Sequence, residues 1–158
     1  MSFEARALRD ALGRFATGVC LITAVSKDGK PMAMTANSFS SVSLDPPLVL
    51  WCLQNSSDIY ELFAQARCYA INILAQEQQD LSNHYARKEQ HEIAPEHYRT
   101  GKNGAPVIRG ALVSFECELE ATHEGGDHLI IVGRVKEVSQ RPSGKPLLFF
   151  SGGYRELH

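Results

Sequence analysis

Residues able to do chemistry gather in two places in this chain. The first is the stretch Met32-Ala33-Met34-Thr35-Ala36-Asn37-Ser38-Phe39-Ser40-Ser41-Val42-Ser43, which is small, rich in hydroxyls and free of charge. Hydroxyls and an amide set beside Ala offer donors and acceptors while letting a ligand come close to the backbone. That suits a flat heterocycle with a polar edge, although an edge strand with small solvent-facing residues would have the same composition. The second is Gly125-Gly126-Asp127-His128, where glycines permit a tight bend and set one imidazole at the start of a strand. A side chain that titrates near neutrality suits a hydrogen bond to a substrate amide, or a proton transfer.

Other chemistries find little support. No serine lies in G-x-S-x-G. His84, His91, His97 and His123 lack the spacing of a zinc site and read as surface histidines, so no metal is expected. Cys20, Cys52, Cys68 and Cys117 are far apart among apolar neighbours and read as buried free thiols. Glu118 and Glu120 fall on the polar face of an alternating strand. No G-x-G-x-x-G follows a strand, so a Rossmann dinucleotide site is not expected.

The elements that position these residues follow from pattern. The 158 residues, 44% hydrophobic and 22% charged, suit one domain spanning 1–158. A net charge of −2 gives no electrostatic case for nucleic acid or an anionic membrane. No apolar run approaches the roughly 20 residues of a membrane helix. Met1 to Asp10 mixes charges with Ala and Leu, unlike a signal peptide, so a cytoplasmic protein is expected.

Residues 2–14 read as an amphipathic helix capped by Ser2, with Phe3, Ala7, Leu8, Ala11 and Leu12 at helical spacing and Gly13 at its end. Residues 19–25 form a buried strand, and the D-G turn in Lys27-Asp28-Gly29-Lys30 returns it through the hydroxyl-rich stretch. Leu44-Asp45-Pro46-Pro47 is a turn before a buried strand at 48–53. A helix carrying Ile59, Leu62, Phe63 and Ala66 follows, with Asp58 and Glu61 at capping-box spacing. A strand at 68–74, a polar helix at 76–85 and a long loop at 86–110 come next. Alternation marks a strand at 113–121, and strands at 129–135 and 147–150 complete the chain. About seven strands, mostly joined by hairpins, with short helices between, give a mainly β fold closed as an antiparallel barrel.

Phe15-Ala16-Thr17-Gly18-Val19, Met34-Thr35-Ala36-Asn37-Ser38-Phe39, Ser41 to Val49 with its Leu-Asp-Pro-Pro turn, Gly126-Asp127-His128 and Gly153-Tyr154-Arg155 occur in one order. Together they resemble the flavin reductase-like family, the small reductase components of two-component flavin-dependent monooxygenases, from about Ala7 to Leu157. The resemblance implies a homodimeric split β-barrel with Greek-key connections. It implies reduction of FMN or FAD by NADH or NADPH, the reduced flavin passing to a partner oxygenase. Carried over by position, Met34, Thr35, Ala36, Asn37 and Ser38 line the flavin ring, and Cys52, Leu53 and Gln54 flank the ribityl chain. Ser57 meets the phosphate at a helix start, with Ser82, Arg87 and Lys88 as further candidates. Gly126 and Asp127 shape the turn that presents His128, the catalytic candidate, to the nicotinamide, and Tyr154 closes over it.

The match departs from the family pattern at the phosphate end. Ile59 stands where many relatives have a second hydroxyl, Asp58 adds a repelling charge, and His91-Glu92-Ile93 replaces the usual Asp-basic-Phe element. The residues leave open a reductase that retains its flavin and reduces an acceptor such as ferric iron. They equally leave open a flavin- or haem-binding module without turnover.

Overall fold

The computed structural model describes residues 3–158. Helix α1 spans Ala5–Leu12. The Ser2 cap lies outside the described residues; the Glu4 carboxylate accepts from the N–H groups of Arg6 and Ala7 instead. None of the helix's residues is buried, and its apolar face is open: Phe3 is 66% exposed, Leu12 67% and the following Phe15 79%.

Next come β1 (Thr17–Gly18), β2 (Cys20–Val25), β3 (Pro31–Ala36), β4 (Ser40–Leu44) and β5 (Pro47–Gln54). Helix α2 (Tyr60–Gln65), β6 (Cys68–Ile73), a short 3-10 turn and α3 (Gln79–Tyr85) follow. The chain continues through β7 (Tyr98–Thr100), β8 (Pro106–Ile108), the long hairpin β9 (Val113–Gly125) and β10 (His128–Gln140), then β11 (Leu148–Phe150) and β12 (Gly153–Arg155). The main sheet has the order β3-β2-β6-β9-β10-β5-β4, and every pairing is antiparallel.

The hydroxyl-rich stretch is therefore two strands, not one. It supplies both edges of the sheet, β3 and β4, and Asn37-Ser38-Phe39 crosses the seam between them. Phe39 turns inward from the seam and stacks on Phe115 of β9, with ring centroids 5.7 Å apart. This seam makes the barrel a split one.

Trp51, Tyr69, Ile22, Leu53, Ile71, Ile131 and Cys117 fill the barrel. Trp51 meets Phe63 of α2 edge-on, so the short helix closes one side of the core. On the other face of β2, Leu21 packs with Val19, Leu74, Tyr85, Ile93, Ile108 and Leu147 in a second core. Burial on both faces explains why residues 19–25 carry no alternation.

The second core corrects the reading of 86–110 as a loop. Ile93, Ala105, Val107 and Ile108 are buried there, and β7 pairs with β8. Asn72 anchors the segment: its amide donates to Leu21 O and Thr23 Oγ1, and its Oδ1 accepts from Ile108 N and Ser114 Oγ. Burial of such an amide is favourable only when its bonding capacity is met, as it is here. Two other expectations change. The helix expected at 76–85 is a 3-10 turn at Gln76–Gln78 running into α3, and it buries Gln78, Ser82 and Tyr85. Cys20 and Cys117 are buried thiols, whereas Cys52 and Cys68 are half-buried; none is in a disulfide.

Candidate functional site

Two cavities flank the seam. One, of about 680 Å³, is lined by Met34, Thr35 and Ala36 from β3, by Gln54 and Ser56 to Asp58 after β5, and by Ser82, Lys88, His91 and Tyr154. The other, of about 1020 Å³, is lined by Arg9 and Arg14, by Ser38 and Cys52, and by His128 and Ile130. Asn37 and Phe149 line both, so the cavities meet at the seam.

The seam is held by one hydroxyl. Ser38 Oγ accepts from Cys52 N at 2.9 Å and donates to Cys52 O at 3.2 Å. The last ladder pair between β4 and β5 is Ser40 with Leu50, so Ser38 stands one rung further on and bonds through its side chain. Its proton is therefore committed to the fold, and contact with a ligand falls to its backbone and remaining lone pair.

Thr35 is similarly engaged. Its Oγ1 donates to Ser82 O at 2.7 Å, which leaves it free only to accept. Ser82 is wholly buried, and its hydroxyl lies 2.6 Å from Tyr154 Oη. Tyr154 donates to Asn83 Oδ1 at 3.0 Å, so Ser82 is the donor in the shorter bond. Ser82 thus holds β12 to α3 and has no proton left for a phosphate. Tyr154 packs edge-on against Phe149 and lines the first cavity.

The structure separates other residues that the sequence grouped. Tyr154 lines the first cavity and His128 the second. Leu53 is fully buried in the barrel core and can offer a ligand only its backbone. Arg87 is exposed and lines neither cavity, whereas Lys88 lines the first. Helix α2 begins at Tyr60 and has six residues, too late and too short for Ser57 to sit at its N-terminus. The Ser57 hydroxyl accepts from Ile59 N at 3.3 Å and keeps its own proton to donate.

His128 opens β10, opposite Gln54 in the ladder. Asn55 ties the turn before it, its N–H donating to Asp127 O and its amide to Gly126 O, and Gly126 takes φ +67° to make the bend. Asp127 Oδ1 lies 2.7 Å from His128 Nδ1, so the carboxylate holds a proton on that nitrogen and Nε2 is left as the one able to meet a ligand. The hydrogen bond and charge of His128 hold the Asp127 carboxyl below its usual range.

The capping box expected of Asp58 and Glu61 does not form, because Asp58 is drawn into a tertiary pair. Its Oδ2 accepts from Glu89 N at 2.7 Å, and its Oδ1 lies 2.9 Å from His91 Nε2. Burial raises the Asp58 pKa, but the Glu89 N–H and His91 outweigh it and lower the carboxyl overall. His91, expected at the surface, is buried, and its Nδ1 lies 2.8 Å from Ala33 O. Sequence reasoning missed this pair, and also Phe149 and Arg14, because no spacing brings residues 58 and 91 together.

Burial pushes the Cys20 and Cys117 thiols up to about 12 and also raises Cys52, which disfavours the thiolate at these three positions. Among the described residues, no three His, Cys, Asp or Glu side chains gather to hold a metal, and no helix is long and apolar enough to cross a membrane.

A split antiparallel barrel with an acceptor-rich, apolar-backed cleft, a lysine and free hydroxyl at one end and an oriented imidazole beyond the other, matches the chemistry of a flavin nucleotide. The flavin reductase like domain matches residues 12–158. An FMN reductase (NADH) of Agrobacterium fabrum is 43% identical over 151 residues, covering 96% of this chain and 85% of the relative. The reductase subunit of a flavin-dependent monooxygenase from Rhodococcus jostii is 35% identical over 153 residues, 97% of this chain and 78% of the relative. A Rhizobium meliloti relative, 50% identical over 133 residues and 84% of this chain, is longer, and the match spans 43% of it. Among solved structures, the NADH:FAD oxidoreductase of Streptomyces globisporus superposes with a TM-score of 0.90 at 34% identity, covering 98% of this chain and 88% of that one. The chain belongs to the flavin reductase-like family.

Proposed function

We propose that this protein is a flavin reductase that moves a hydride from NADH or NADPH to FMN or FAD and supplies the reduced flavin to a partner monooxygenase. The carrying observation is that two cavities meet at Asn37 and Phe149, giving adjoining places for two planar rings. Hydride transfer between stacked rings asks the protein chiefly for orientation. Relatives that are an NADH-dependent FMN reductase and a monooxygenase reductase subunit support the same reading.

In this reading Met34, Thr35, Ala36 and Asn37 hold the flavin ring, Thr35 accepting from its N–H edge. Ser38 and Cys52 fix the seam, with Leu53 backbone and Gln54 along the flavin's side chain. Ser57 and Lys88 take the phosphate. Gly126, Asp127 and His128 bind the nicotinamide side, where His128 Nε2 serves as the oriented polar contact. Arg9 and Arg14 bring positive charge to that cavity for the nucleotide's phosphates.

The open apolar face of α1 favours a homodimer in which a second copy covers Phe3, Leu8, Leu12 and Phe15. The unit acts as one cytoplasmic domain over residues 1–158. Following NADH and NADPH oxidation with and without excess FMN or FAD tests the activity. Flavin-dependent turnover is expected; flavin binding without turnover would overturn the enzyme reading.

A further inference from the structure

The phosphate end of the first cavity contains a carboxylate, Asp58, where an incoming phosphate needs positive charge. What stands against that carboxylate is His91. One ring nitrogen faces Ala33 O, which can only accept, and the other faces a carboxylate oxygen, which in its ionised form can only accept. Both contacts, at 2.8 and 2.9 Å, are hydrogen bonds only if both nitrogens carry protons, or if the carboxyl itself holds one. Either way the pair keeps one extra proton and is neutral overall.

The ring is held in place from its own backbone as well. Ala33 N donates to His91 O while Ala33 O receives the imidazole, and Ile93 N donates to Pro31 O, so residues 91–93 cap the free edge of β3. The other charged or titratable groups at this cavity are Lys88, Tyr85 and Tyr154, which line it, and Glu89, which gives Asp58 its backbone N–H. Lys30 is engaged by Asp28 and Glu92 on the outer face.

We propose that the Asp58–His91 pair sets how well this site accepts a phosphorylated flavin: the shared proton cancels the Asp58 charge, and losing it exposes a carboxylate to the phosphate. A neutral His91 has one proton for two acceptors, Ala33 O and Asp58 Oδ1, so one of the two contacts is lost whichever nitrogen keeps it. Asp58 is then an uncompensated carboxylate, with Glu89 N still donating to its Oδ2. His91 is thus a positioning residue and Asp58 a selectivity residue, both acting on the phosphate and neither on the ring. This rests on the reading that Ser57 and Lys88 receive the phosphate.

The test compares dissociation constants of FMN, FAD and riboflavin, from quenching of flavin fluorescence at constant ionic strength, at about pH 7 and about pH 9. Free phosphate monoesters have their second pKa near 6, so FMN is essentially dianionic across that range. The FMN constant is expected to rise about fivefold relative to riboflavin, the size of one screened like-charge contact. FAD should follow FMN. Asp58→Asn is expected to abolish the difference and bind FMN at pH 9 as tightly as the unaltered protein does at pH 7. His91→Gln is expected to show the weaker FMN binding already at pH 7, with riboflavin unchanged. FMN and riboflavin moving in parallel with pH would overturn the proposal, and that measurement needs no variant. Lys88→Ala separates the two levels: a lower FMN-to-riboflavin preference there, with no effect of Asp58→Asn or pH, sinks the inference alone. An unchanged preference in Lys88→Ala sinks the placement of the phosphate and the inference with it.

Discussion

Replacing Ser38 with Ala removes one oxygen and two hydrogen bonds, both to the Cys52 backbone. Cys52 is half-buried and lies in β5, and the ladder between β4 and β5 stops at Ser40 and Leu50. Each neutral hydrogen bond contributes about 1 kcal/mol net, and stranding a partly buried N–H and C=O brings the loss to about 2 kcal/mol. For a domain of this size each kcal/mol corresponds to about 2–4 °C in melting temperature, so Ser38→Ala should melt about 4–8 °C lower. The control is Ser40→Ala, whose exposed hydroxyl donates only to its neighbour's Ser41 O and whose loss should shift the melt little. Thermal unfolding of both variants by circular dichroism, without flavin, decides the matter. A melt for Ser38→Ala as high as that of Ser40→Ala would refute the claim that a side chain serves as the missing rung. Because Asn37 lines both cavities from the same crossing, the destabilised variant should also bind flavin more weakly.

Gly133 has no room for a side chain: a Cβ there would run into Tyr69 Oη and lie 2.9 Å from its Cζ. Gly133→Ala should therefore cost about 3 kcal/mol in urea unfolding, and Tyr69→Phe in the same chain should recover part of it. His128→Ala should raise the KM for NADH more than it weakens flavin binding, with Asp127→Asn shifting KM the same way by less, through loss of the bond to Nδ1. An unchanged KM in both would remove His128 from the nicotinamide side. On acidification, Glu77 beside Arg141, Glu120 beside Arg134 and Asp127 beside His128 all hold their carboxyls below the ordinary range, through side-chain hydrogen bonds first. A folded pKa below the unfolded value means stability complete above the usual carboxylate range of about 4 and lost as pH falls through the lowered values. The melting temperature should fall below about pH 4, and less steeply in high salt; a rise on acidification would contradict these pairs.

Much of the barrel is written locally. The D-G turn at Asp28-Gly29, the alternation of 113–121 and the Gly-Asp-His bend are each decided by neighbours in sequence, and the structure has a hairpin or strand at each. The site is less local. Asp58 looked like a helix cap because Glu61 follows at the right spacing, but a buried imidazole from residue 91 competes for the same carboxylate and wins. Ser38 and Ser82 looked like ligand hydroxyls, yet their protons are taken by Cys52 O and Tyr154. Residues 86–110 lacked periodicity because short pieces of backbone are tied to different partners, Ile93 N to Pro31 O of β3 and Ile108 N to Asn72 Oδ1. Composition reports which groups could bond; only the fold reports which are already spent.

The wall of the second cavity is assembled from opposite ends of the sequence: Arg9 to Thr17 on one side, Phe149 to Gly152 on the other, stitched where Ser151 N donates to Gly13 O and β1 pairs with β11. During vectorial synthesis the seven-stranded sheet is complete once Gln140 has emerged, whereas Phe149 and Tyr154 arrive later. A nascent chain can therefore have its barrel before it has a site. The ordering separates folding competence from redox competence in time: a chain cut short before Leu148 keeps every strand of the sheet and lacks the ring on which both cavities converge.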